Sequence, residues 1–476
     1  MLKPEECETD FSPTEWCDVV ILGGGLCGLY AAHKLTSRGL RALVLEKEPY
    51  FGGLAAGHRF GENWYDLGIH LFHETDREIF ADFCSLLGSA HLAVAKDLRI
   101  RWGKRTYRYP LQTRDMATGF PLWRLVQFSV GLVYSQAVGK MSNRPPANAE
   151  EALVKLYGGP LYRFFFREFT ERYWSRHPRE LSAGFVSTKM PRLSAVDFLY
   201  RLVNSLGLRN ASVRTTESAL LNEPLHYSPS GAETLPRRLR EVIHEQGGQL
   251  LSGCRLKRLL VESEQVTAVD FETSGSTYRV KTGHVISTIP ICDLVTLIEP
   301  AASPDVVEAA NALKYRAVVV YGLLVRKTRC FEGIAMYFRE RIFHRVSEPK
   351  NAGLLVFPED CTILLVEMTC EVEDEKWRGT EAARQRVLRD LEAEAICSHD
   401  DVIEMHVIRA ETAYPIFALG FEASLERIMN WTASLGNLQS TGRQGAFAYP
   451  NMEGAMRMGA RAAEKVLNCM PLAASA

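Results

Sequence analysis

Near the N-terminus, apolar residues occur in short unbroken blocks rather than in alternation. Asp18-Val19-Val20-Ile21-Leu22 is a β-branched run of the kind that fills a strand buried on both faces. Gly23-Gly24-Gly25-Leu26-Cys27-Gly28 follows, then Leu29–Ser37 with helical character, closed at Gly39. Ala42-Leu43-Val44-Leu45 reads as a second buried strand and ends on Glu46. This strand–helix–strand order predicts the opening of a parallel α/β sheet over residues 15–75.

The texture changes over residues 76–220. Helix formers and aromatics, among them Tyr162, Phe164, Phe165, Phe166 and Trp174, interleave with basic residues, which predicts a helical lid or substrate domain. Its most apolar stretch, Phe120 to Val138, is interrupted by Arg124, Gln127 and Gln136. That pattern predicts an internal amphipathic helix or one lying on a membrane surface, not a membrane span. From Leu225 the α/β texture returns, placing residues 221–300 with the first unit. A helix is expected over Glu233 to Gln246, stopped by Gly247-Gly248, then a strand near Leu250–Leu260 and a buried run from His284 to Pro290. Residues 301–410 are expected to supply a substrate-domain sheet, with 315–370 strand-rich. Residues 411–470 return to the first domain through Asn437–Gly445 and a final helix opened by Tyr449–Ala455.

Composition narrows the chemistry. The net charge of −1 sets up no general field for nucleic acid or anionic substrates, so a charged ligand needs a local basic cluster. The eleven cysteines include no CxxC pair and no clustered Cys/His spacing. That excludes a sequence-evident zinc site, iron–sulfur cluster or disulfide framework, and it fits a reducing, cytoplasmic setting. Met1 to Trp16 is acidic and polar, without the apolar core of a signal peptide.

The glycines of the first loop each have a physical task. Gly23 permits the tight turn, Gly25 lets backbone approach a pyrophosphate, and Gly28 lets the helix pack closely on the strand. Leu26 and Cys27 open that helix, whose unpaired N–H groups attract a phosphate. Glu46, eighteen positions after Gly28, is placed to accept hydrogen bonds from an adenosine ribose. Gly442 and Arg443 precede a second helix start, at Asn451 and Met452, and make another electropositive backbone site. The expectation is a dinucleotide-binding α/β domain acting on a small molecule, without nucleic acid and without metal.

Glu46-Lys47-Glu48-Pro49-Tyr50-Phe51-Gly52-Gly53-Leu54 resembles the acid-then-double-glycine signature of the amine oxidase, protoporphyrinogen oxidase and UDP-galactopyranose mutase superfamily. The resemblance implies FAD as cofactor and a Rossmann-like (GR2-type) FAD-binding domain interleaved with a mixed helical and β-sheet substrate domain. It places Lys47, Gly52, Gly53 and Leu54 beside the cofactor. Amine oxidases usually carry arginine after the glycines, and Leu54 departs toward the mutase-like branch.

Gly68-Ile69-His70-Leu71-Phe72-His73 is similar to a mutase segment whose first histidine lies against the flavin, which gives Gly68 and His70 that position. Phe169–Trp174 is similar to a segment ending in a substrate-side tryptophan. Phe343–Lys350 is similar to the segment carrying an arginine that grips the substrate diphosphate, here Arg345. Tyr414 and Tyr449 match tyrosines that hydrogen-bond the same group. The mutases place a second arginine where Ser187–Arg192 offers Lys189, which keeps the charge without the bidentate fork. The activity implied is pyranose–furanose isomerisation of a nucleotide sugar through reduced flavin. The alternative carried by the same superfamily is an FAD-dependent oxidase or dehydrogenase of a small-molecule biosynthetic pathway.

Overall fold

A computed structural model describes residues 15–109, 119–141, 144–184, 186 and 224–469 of the chain. Its first sheet is built on Trp16–Leu22, which pairs in parallel with Ala42–Leu45 on one side and Ser276–Ser287 on the other. Gln249–Leu251 extends it beyond Ala42–Leu45, and Leu438–Ser440 adds in parallel to Ser276–Ser287. A hairpin series, Arg255–Glu262, Gln265–Thr273 and Ser276–Ser287, continues it, and Ile298–Glu299 ends it in parallel with Arg255–Glu262.

The apolar blocks of the sequence explain why this sheet is covered on both faces. Val19, Ile21 and Val44 pack with Leu29, Leu35, Leu239 and Met456. Their neighbours Val20, Leu22, Leu43 and Leu45 point the other way, against Leu259, Phe271 and Leu294. The helices Leu26–Thr36, Thr234–Glu245 and Met452–Cys469 supply the first layer. The first and last approach to backbone contact, since a Cβ on Gly459 would lie 2.4 Å from the Cys27 carbonyl oxygen.

The second sheet runs Val402–Pro415, Tyr315–Val325, Thr362–Cys370, Arg345–Ser347, Ala335–Phe338, Leu98–Trp102 and Arg105–Tyr109. Its last two strands come from within the stretch that reads as helical in the sequence; alternation of basic and aromatic residues there is strand periodicity, completed only by pairing with Ala335–Phe338. The helical insertion contains Leu122–Met141, Ala149–Tyr157 and Arg167–Trp174 around a core of Leu125, Phe128, Leu153, Phe165 and Trp174. The region strand expected near Leu250–Leu260 is two strands, Gln249–Leu251 and Arg255–Glu262, separated at Gly253 (φ +66°).

Candidate active site

Three loops leave the C-terminal ends of adjacent parallel strands side by side: Gly23–Gly25, Thr288–Pro290 and Thr441–Gly445. Thr288 N donates to Leu22 O at 2.7 Å and Thr441 N to Ser287 O at 2.8 Å. In open α/β sheets this edge is where ligands bind. Gly23 takes φ +100°, and a Cβ there would meet Thr288 Oγ1 at 2.5 Å. A Cβ on Gly25 would meet nothing nearer than Gly53 Cα at 3.9 Å, which is the open backbone a pyrophosphate needs. Gly28 is the opposite case: its Cβ would lie 2.1 Å from Gly23 O.

Glu46 is buried, and its carboxylate accepts from Gly24 N at 2.7 Å and Glu48 N at 2.9 Å. Burial raises its pKa against those two bonds. The acid therefore fixes the glycine loop and still has lone pairs for ribose hydroxyls. Gly52 N donates to Gly24 O at 2.8 Å, bringing the double glycine against the first loop. Leu54 is half-buried, Leu26 and Met452 are buried, and the Cys27 side chain lies against Gly442. Asn451 Oδ1 accepts from Gly454 N at 2.8 Å at the start of the last helix. Lys47 is mostly exposed and ion-paired with Glu48 at 3.7 Å. The glycines, the acid and the two helix starts fit the diphosphate and ribose of FAD.

On the substrate side, sheet register brings the charges together. Arg345 lies directly opposite Glu367 on one neighbouring strand and Tyr337 on the other. Its Nε and Nη2 donate to the two Glu367 oxygens, each at 2.5 Å, while among the described residues Nη1 has only a 3.4 Å contact to the Tyr337 hydroxyl. Glu367 is 1% exposed and also accepts from Ser347 Oγ at 3.3 Å. A Cβ on Gly68 (φ +81°) would lie 2.7 Å from the Glu367 carboxyl, so the glycine lets the His70 segment cross directly over the pair.

Tyr414 and Tyr449 stack with centroids 5.1 Å apart, and the Tyr449 hydroxyl is 3.1 Å from that of Tyr173. Arg443 lies over both rings, at 5.0 and 4.0 Å. It donates to Ala413 O and Pro450 O, and its Nη2 is buried without a partner among the described residues. Burial raises the Tyr414 pKa, with Tyr449 and Glu367 adding to it and the two arginines opposing, so the phenol stays protonated and able to donate. Trp174 is buried in the insertion core, its ring 5.1 Å from Tyr173 and 6.4 Å from Tyr414, behind the tyrosines. Lys189 lies outside the described residues.

His70 Nδ1 is 2.8 Å from Gly68 O, which assigns its proton to Nδ1 and leaves Nε2 with a lone pair. Burial, then the charges of Arg345 and Arg443, push its pKa down to about 4 from 6.5. The folded protein therefore holds a neutral imidazole where the unfolded chain takes up a proton. Stability is expected to fall as pH drops from 6.5 toward 4, by about 3 kcal/mol in full. Urea titrations of flavin-loaded wild type and His70→Gln across that window check this; parallel slopes for the two proteins would refute it.

Sequence reasoning missed Glu367 and Tyr173. Glu367 had a signal: it is the lone acid in the buried run Thr362–Cys370, where an unpaired carboxylate is too costly to keep. Tyr173 had none beyond its place beside Trp174.

The sequence profile described as flavin containing amine oxidoreductase matches residues 26–467, so the chain belongs to that family. It is an FAD-dependent enzyme of the Rossmann-like α/β class. Among relatives, it is 23% identical to a dTDP-fucopyranose mutase of Escherichia coli over 209 residues, 43% of this chain and 54% of that one. The chain spans about half the length of the curated mutases it matches. Among solved structures, reduced UDP-galactopyranose mutase superposes with a TM-score of 0.79 at 20% identity, covering 96% of this chain and 98% of the other. Wild-type putrescine oxidase bound to putrescine superposes with a TM-score of 0.65 at 15% identity, covering 96% and 100%. Among the described residues no helix is long and apolar enough to cross a membrane, and no cluster of metal-binding side chains occurs.

Proposed function

We propose that this enzyme isomerises a nucleotide-linked sugar between pyranose and furanose forms, without net redox change, using reduced FAD. The observation that carries this reading is the Tyr414–Tyr449 stack under Arg443, together with the His70 segment crossing at Gly68 over the Arg345–Glu367 pair. A guanidinium and protonated phenols are the donors that a partly buried diphosphate requires. The Arg345 fork is engaged by Glu367, which fixes the plane of the guanidinium and leaves Nη1 for a substrate oxyanion. Tyr414 and Tyr449 donate from their hydroxyls, and Nε2 of His70 accepts a proton or a hydrogen bond from a sugar hydroxyl. When bound, FAD supplies the electron-rich ring system on which the sugar chemistry depends. The protein's own part is placement and charge stabilisation.

The second reading is oxidation of a small molecule. The aromatic wall of Tyr173, Tyr414 and Tyr449 favours it, as it would suit an apolar amine or alcohol.

An anaerobic assay separates the two. Purified enzyme, with flavin oxidised or reduced by dithionite, is incubated with UDP-galactose and other nucleotide sugars, and products are resolved by chromatography. Conversion only with reduced flavin, with no change in its redox state, is expected. Absence of turnover and of nucleotide-sugar binding in both states would overturn the mutase reading, and bleaching of oxidised flavin by amines or alcohols would establish the oxidase.

A further inference from the structure

The helix Leu122–Met141 carries large apolar side chains on two sides, one more than a helix with a single covered face needs. One side is accounted for, since Leu125, Phe128 and Leu132 are buried in the insertion core. Among the described residues, nothing covers the other side. Trp123, Val126, Val130, Tyr134, Val138 and Met141 form a stripe at spacings of three and four, with exposures from 44% for Val138 to 88% for Met141. Of the fifteen large apolar side chains exposed among the described residues, eight lie on this one helix, so they form a patch and not scattered surface residues.

We propose that this face docks in the plane of an anionic lipid bilayer. Three observations favour lipid over protein. Between Gly119 and Ala149 the sequence has no aspartate or glutamate, while Arg124, Lys140 and Arg144 are basic, which is the charge complement of anionic headgroups. Trp123 and Tyr134, 60% and 69% exposed, are the amphipathic rings that sit at headgroup depth, and the Arg124 guanidinium lies 4.8 Å over the Trp123 ring, at the rim of the stripe. Finally, among the described side chains the exposed positions of the helix offer only Gln127, the Tyr134 hydroxyl and the Trp123 indole N–H for hydrogen bonding, fewer than a protein partner would use across such a face. The helix does not qualify as a span, so it lies on the bilayer instead of crossing it. Its core contacts belong to the same apolar cluster that Tyr414 and Tyr449 pack against, so the helix shares a core with the candidate active site whatever reaction occurs there.

The test is flotation of the flavin-loaded, full-length protein with vesicles of phosphatidylcholine alone or mixed with phosphatidylglycerol. Wild type is expected to float with the mixed vesicles, less with the neutral ones, and less as salt is raised. The variant Val126→Glu/Val130→Glu alters two side chains already 53% and 62% exposed, so flavin content and melting temperature should hold. Its partition onto mixed vesicles should drop at least about tenfold, because two apolar contacts are lost and two repelled charges gained. Failure of wild type to float, or equal flotation of the variant, overturns the proposal. So does a wild-type dimer, seen by light scattering, that the variant converts to monomer without any vesicle binding, since the face would then belong to a second copy.

Discussion

Replacing Arg345 by alanine is expected to cost about 3–5 kcal/mol of stability, because it strands the Glu367 carboxylate in a site 1% exposed where, among the described residues, Ser347 Oγ at 3.3 Å is its remaining side-chain contact. The same change removes the guanidinium proposed to meet the substrate, and kcat/KM should fall on the order of a hundredfold or more. The two effects separate in a second variant. Arg345→Leu/Glu367→Leu removes both charges from the buried position and should recover most of the stability, since apolar replacement of a buried pair is often neutral. Its activity should stay low. Urea denaturation together with steady-state kinetics on both proteins checks this. A double variant that recovers activity along with stability would show that Arg345 matters to the fold and not to the substrate.

Gly28→Ala should yield protein that no longer retains flavin. The added Cβ would lie 2.1 Å from Gly23 O and 3.2 Å from Ile21 Cγ2. The Gly23 carbonyl cannot easily move, because it accepts from Thr288 Oγ1 at 3.1 Å while Gly23 N donates to Leu45 O at 2.8 Å. Relief must come from shifting the helix Leu26–Thr36, which is packed against Met452–Cys469 nearly backbone to backbone. Overpacking of this kind costs about 3 kcal/mol, and here it also displaces the N–H groups proposed to hold the cofactor diphosphate. The ratio of flavin to protein absorbance and the melting temperature are the measurements. Full flavin content at an unchanged melting temperature would contradict the packing described at Gly28.

How far these features can be read without the structure depends on whether the cause is local. The glycine loop, its flanking strand and helix, Glu46, and the turn to Gly52-Gly53 lie within a few dozen residues. Each is specified by backbone geometry: β-branched blocks for buried strands, positive φ at Gly23 and Gly52, open space at Gly25. The sequence alone therefore determined the α/β class, the dinucleotide loop and, through the resemblance of the double-glycine segment, FAD. His70, Arg345, Tyr414 and Tyr449 could be named by similarity of short segments, but not their arrangement.

That arrangement is tertiary. Arg345 and Glu367 are joined because two antiparallel strands fix them opposite one another, and a slip of one residue would turn the carboxylate to the other face. Tyr173 reaches Tyr449 from a helix 276 positions earlier in the chain. The strands Leu98–Trp102 and Arg105–Tyr109 looked like part of a helical insertion because their partner, Ala335–Phe338, lies far along the chain, and strand pairing at that separation leaves little trace in local periodicity. The pattern from Phe120 to Val138 was legible as a helix, yet only packing decided which side is buried against Phe165 and which apolar stripe is left facing outward. Local backbone preferences wrote the cofactor loop into the sequence; the substrate side exists only where distant strands and helices are brought into register by burial of a shared core.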